Sequence, residues 1–109
     1  MTMLLEAERF LGRLTKLEKI QLMQRIADEL RTEGRPIIQT KGVLGGDARV
    51  DGTRIPVWVL VNWRRLGLSD EEILNNYPTL TVGDLINALA YYDQHPDEIE
   101  RSIYENEAE

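Results

Sequence analysis

Residues 56–67, "PVWVLVNWRRLG", decide the fold. Val57, Val59 and Val61 alternate as they do in a strand, a state that β-branched side chains favour. Three features oppose it. Pro56 suits the first position of a helix, Gly67 suits its C-terminus, and Arg64 with Arg65 falls where the negative end of a helix dipole attracts cations. We therefore read this segment as a helix, which makes the chain mainly α.

Downstream the helical reading continues. In "LSDEEILNNYP" Ser69 stands as cap with Glu72 three residues on and further acids in the first turn, and the helix ends before Pro78. Thr81 then caps "VGDLINALAYYDQ", where Val82, Leu85, Ile86, Leu89 and Ala90 form an apolar stripe. Pro96 separates this from "DEIERSIYENEAE", which has Ile99 and Ile103 as its strong anchors.

Upstream the character changes. "ARVDGTRI" places Asp51-Gly52 between two β-prone pieces, the pattern of a tight two-residue hairpin turn. "IIQT" favours a strand, and Gly42, Gly45 and Gly46 interrupt it. The glycine spacing fits neither phosphate-binding pattern and no lysine follows, so Gly45, Gly46, Asp51 and Gly52 are read as structural turn residues. Before residue 36, Thr15 and Glu18 form a second capping box, and Leu17, Ile20, Met23, Ala27 and Leu30 recur at helical spacing, widened by Leu22 and Ile26. Gly34 and Pro36 stop that helix; Leu4, Leu5, Leu11 and Leu14 offer an apolar side to an earlier one. So broad a stripe is covered either by the domain body or by a second copy of the chain.

At 109 residues the chain is sized for one small domain with an appended helical segment, too small for a large enclosed substrate cavity. Without cysteine it builds no disulfide or thiolate metal site. Neither a membrane-length apolar run nor a secretion signal is evident, so a cytoplasmic protein is expected. The net charge of −6 is unevenly spread. Residues 1–35 carry 7 basic and 6 acidic groups, 36–68 carry 5 and 2, and 69–109 carry 1 and 11. Phosphate contacts need Lys and Arg, which confines any nucleic-acid surface to residues before 69. The organisation expected is a helical extension over 1–35 with a role in dimerisation, a helix-turn-helix-like core with a β-hairpin over 36–95, and an acidic helix or tail over 96–109.

Catalytic chemistry finds little to work with. His95, the one histidine, has neither a cysteine nor a second histidine to act with and reads as a solvent-facing turn residue. Asp97, Glu98, Glu100, Glu105, Glu107 and Glu109 read as a solvated face. Residues 70–76 and 82–94 have the lengths of a helix-turn-helix, yet the second helix has no Lys or Arg and is expected to expose Asp84, Asn87, Asp93 and Gln94, which suits packing better than DNA recognition. Arg49, Arg54, Arg64 and Arg65 are the preferred partner-binding residues, against the plainer reading of solvated or internally paired cations. Trp58 and Trp63 are five apart and share a helix face poorly, so Trp58 is assigned to the core and Trp63 to partner binding.

In order and spacing, Gly45, Gly46, Arg49, Gly52, Thr53, Arg54, Ile55, Leu66, Gly67, Tyr77, Pro78, Leu80 and Thr81 resemble the bacterial family called domain of unknown function 433. The likeness covers residues 37–100, with Val50 in place of the usual isoleucine. It implies a helix-turn-helix-like fold with a short N-terminal β element. In function it implies a VapB-like antitoxin of a type II toxin–antitoxin pair, whose partner is a PIN-like ribonuclease. No catalytic residue, cofactor or metal follows from the resemblance, and the chain is read as a binding module and not an enzyme. The alternative is a dimeric DNA-binding transcriptional regulator that occupies promoter DNA.

Overall fold

The computed structural model describes residues 2–107; Met1, Ala108 and Glu109 lie outside it, and with them the last acid of the expected tail. The chain is mainly helical, as expected. Among the described residues the α-helices are α1 (Met3–Leu11), α2 (Lys16–Glu33), α3 (Val57–Arg65), α4 (Asp70–Asn76), α5 (Val82–Gln94) and α6 (Pro96–Glu107), and the short strands are β1 (Ile37–Ile38) and β2 (Arg49–Val50). The deciding segment is helical, with Pro56 as the cap residue and Arg64 and Arg65 in the last turn. Capping boxes form at Thr15/Glu18, Ser69/Glu72 and Thr81/Asp84, each satisfying first-turn amides that a helix leaves without partners.

The core gathers where α3 crosses α5 and α6. Val57, Leu60, Ile73, Leu85, Ala88, Ile99 and Ile103 meet Ala48 and Val50 from the hairpin. Val82 departs from the expected stripe of α5 and is 45 % exposed. The strand pairing also differs from the expected tight hairpin. β2 pairs antiparallel with β1, Ile37 opposite Val50, and meets the residues after the turn through an isolated Arg49–Pro56 bridge, flanked by bonds from Val50 N to Ile55 O and from Val57 N to Ala48 O. Asp51 and Gly52 still form the turn, with Thr53 N donating to Val50 O at 3.1 Å and Gly52 at φ +75°. Thr53 Oγ1 then donates to Val50 O and accepts from Ile55 N, which lengthens the turn beyond two residues.

One polar cluster joins these parts, and Asp84, expected on the surface, lies at its centre. Its side chain is fully buried. It accepts from the Arg35 backbone amide at 2.7 Å, from Arg35 Nη2 at 2.7 Å and from the Thr81 amide at 2.8 Å. The same Nη2 donates to Thr79 O at 2.8 Å, in the turn between α4 and α5. Burial pushes the Asp84 carboxyl up, but the Arg35 guanidinium and the Thr81 and Arg35 amides outweigh it and hold the group at about 2. The charge of Asp84 is thus consumed inside the fold, because a carboxylate hydrogen-bonded on several sides is stable only with all its donors in place.

Beside this clasp two backbones touch. A Cβ on Gly83 would collide with Leu30 O and stand 2.6 Å from Gly34 N, and a Cβ on Gly34 would stand 2.7 Å from Asn87 Nδ2. Asn87 Nδ2 itself donates to Arg35 O at 3.0 Å, so it too faces inward on α5. Gly12, by contrast, has open space around its Cβ position.

Two measurements follow. Gly83→Ala is expected to lower unfolding free energy in urea by about 2 kcal/mol, as overpacking does, while Gly12→Ala leaves it unchanged or slightly higher. Asp84 titrates below the usual aspartate value, so its contribution of about 2 kcal/mol is complete above about pH 4 and is lost as pH falls towards 2. Acid unfolding of Asp84→Asn is expected to lack that part of the pH dependence and to start from a protein less stable by about 3 kcal/mol at neutral pH.

Candidate partner-binding surface

The hairpin and α3 carry the candidate residues, and the helix separates them into two groups. Arg49 and Arg54 lie before its N-terminus, whereas Arg64 and Arg65 end it, and the helix between them is itself roughly 12 Å long. The four arginines therefore do not form one cluster.

Within the hairpin the two arginines have different duties. Arg49 Nε donates to Thr53 O at 3.1 Å and its Nη1 to Thr40 Oγ1 at 3.0 Å, so its guanidinium ties the turn to the segment after β1. Arg54 is exposed, and no salt bridge reaches it among the described residues. The backbone beneath it is fixed by the Thr53 hydroxyl and by the ladder from Val50. Upstream, Leu44, Gly45 and Gly46 all take positive φ (51°, 65° and 85°), a left-handed turn that the two glycines accept without a Cβ clash and that brings the chain back into β2.

At the other end of α3, Arg65 pairs with Glu100 of α6, which also accepts from the Tyr92 hydroxyl. The Tyr92 and Arg65 bonds hold the Glu100 carboxyl below its ordinary value, and the same carboxylate raises both Tyr92 and Arg65. Glu98, likewise expected on a solvated face, accepts from the Tyr91 hydroxyl at 2.9 Å. Burial and then this carboxylate push the Tyr91 phenol up to about 12. His95 is exposed, as expected of a turn residue, and stacks on Tyr91 with ring centroids 4.3 Å apart. Arg64 makes only a loose 3.8 Å contact with Asp70 and stays half exposed. The two cations border an open pocket of about 430 Å³ with Val61, Leu89, Tyr92 and Asp93.

Trp58 packs against the core as assigned, and Trp63 packs there beside it. Trp58 and Trp63 are both half-buried against the core and together line a groove of about 270 Å³ with Val59, Asn62, Leu66 and Tyr77. Trp63 Nε1 donates to Tyr77 Oη at 2.8 Å, which fixes the indole over the start of the α4–α5 turn. Five residues advance a helix by about 500°, a separation of roughly 140°, and a groove reaching over the end of α3 spans it.

The sequence reading missed Arg35, Asp84 and Asn87 as positioning residues. One signal for them was available: Gly83 in the first turn of a helix costs about 1 kcal/mol against alanine, which calls for a packing reason such as the contact with Leu30 and Gly34.

Comparison with known proteins agrees with this architecture. The family described as "Protein of unknown function (DUF433)" matches residues 32–92. The solved crystal structure of a DUF433 member protein from Anabaena variabilis ATCC 29413 is 39% identical, covers 94% of this chain and 98% of its own, and superposes with a TM-score of 0.62. No curated protein matches the sequence. No helix among the described residues is long and apolar enough to cross a membrane.

The α3–α6 contact is checked through its phenol. Glu100→Gln is expected to return Tyr92 towards an ordinary tyrosine in an alkaline absorbance titration, leaving the Tyr91 transition in place. An unmoved titration curve would show that Glu100 does not hold Tyr92.

Proposed function

The chain belongs to the DUF433 family, and from that premise we propose a non-catalytic interaction protein, the antitoxin of a type II toxin–antitoxin pair that sequesters a PIN-like ribonuclease. The observation that carries the reading is Arg54, an exposed guanidinium on a braced hairpin with no salt bridge of its own among the described residues. A cation on fixed backbone loses less freedom on binding than one on a mobile loop, and its planar fork matches a carboxylate. Metal-dependent nucleases collect carboxylates around their ions, so such a centre presents the chemistry that Arg54 fits. Arg49 shapes the hairpin, and the exposed acids of α6, Asp97 and Glu105, complement a basic RNA-binding surface beside that centre.

The regulator reading gains less support. α5 has no Lys or Arg, and Asp84 and Asn87 are spent inside the fold, which leaves that helix poor in base- and phosphate-reading side chains. Arg54→Glu is expected to weaken binding of a co-encoded PIN-like ribonuclease by about a hundredfold in calorimetry, with an unchanged melting curve. Wild-type affinity in a variant with intact circular dichroism would remove Arg54 from the interface.

A further inference from the structure

The apolar face of α2 outruns what covers it. Ala27, Leu30 and Gly34 are half-buried where α2 lies against α5, and the same stripe continues through Met23 and Ile20 to Leu17 (63 %, 49 % and 64 % exposed). Every residue from 15 to 26 is exposed. α1 beyond it has no buried residue, although Leu4, Phe10 and Leu11 give it an apolar side. A nine-residue helix is shorter than the roughly 12–15 residues at which isolated helices become even marginal in water, so α1 needs that side covered. The molecule is correspondingly long, 51 × 25 × 23 Å, and its radius of gyration of 16.4 Å exceeds the roughly 13 Å of a compact domain of this size.

We propose that a second copy of this chain covers the arm, with the two α2 helices packed antiparallel across a two-fold axis. Area supports this occupant. Ten large apolar side chains between residues 3 and 26 are exposed; they present on the order of 1,000 Å² per copy, against about 800 Å² per partner in a standard interface. Charge supports it too. Residues 1–35 carry a net +1 while the remainder carries −7, so arms meet without the repulsion that two cores would suffer. Along α2, Lys16 and Lys19 outweigh Glu18 at one end, while Asp28, Glu29 and Glu33 outweigh Arg25 and Arg31 towards the other, so an antiparallel pair sets a net positive end against a net negative one. The pairing uses residues remote in sequence from Arg54 and stands whether or not a ribonuclease is the partner.

Sedimentation equilibrium on the full chain tests it. The wild type is expected to be a dimer, and the double variant Ile20→Glu with Met23→Glu a monomer with the wild-type core transition, both positions being exposed in one copy. Lys16→Glu with Lys19→Glu is expected to weaken the dimer several-fold, and Glu29→Lys with Glu33→Lys added to the same chain to restore it. A wild type that stays monomeric at the highest soluble concentration, or a dimer that survives the Ile20 and Met23 changes, would overturn the proposal. A charge reversal without rescue would overturn the antiparallel arrangement.

Discussion

The Asp84 carboxylate, fully buried and held by Arg35 and Thr81, is the constraint on which the rest of the structure depends. It satisfies the first turn of α5, fixes the end of α2, and through Arg35 holds the Thr79 carbonyl in the turn that follows α4. Such a charge is stable inside the protein only with its donors in place, so these three elements are fixed together. The Gly34–Gly83 contact makes the geometry possible by letting two backbones approach where any side chain would separate them. Two residues beyond Arg35 the chain enters β1, and the Asp51 amide donates to Pro36 O, so the position of the hairpin is inherited from the same clasp.

The surfaces follow from that arrangement. Anchored at one end, α2 projects the uncovered part of its stripe, and α1 with it, away from the core. The hairpin offers Arg54 on backbone that the Thr53 hydroxyl keeps in place. At the far end of α3 the acidic last third of the chain turns inward as well as outward: Glu98 and Glu100 bind the hydroxyls of Tyr91 and Tyr92, and Glu100 also takes up Arg65. The exposed Arg54 of the hairpin, without a salt bridge among the described residues, and the paired Arg65 of α3 are thus chemically distinct, despite a similar appearance in the sequence.

Much of the helical framework was legible because its determinants are local. Thr15/Glu18 and Ser69/Glu72 announce helix starts through bonds that span three residues, and Pro56, Gly67 and the arginine pair settle a segment whose valines alone favour a strand. What escaped depends on distant partners. Asp84 satisfies a local capping box and is polar, so the sequence presents it as a surface residue; only Arg35, 49 positions away, shows why it is buried. The register that pairs Val50 with Ile37 is likewise set by where α2 ends, and the groove shared by Trp58 and Trp63 by the placement of Tyr77.

Under this account the arm and the core are one body joined at Arg35, and both proposed binding surfaces rely on that junction. Native-state hydrogen exchange at the Arg35 and Thr81 amides, the two backbone donors to Asp84, tests it most directly. The expected result is protection equal to that of the α3 and α5 core amides, lost together with theirs on global unfolding. Exchange as rapid as that of the α1 amides, with the core still protected, would contradict the account.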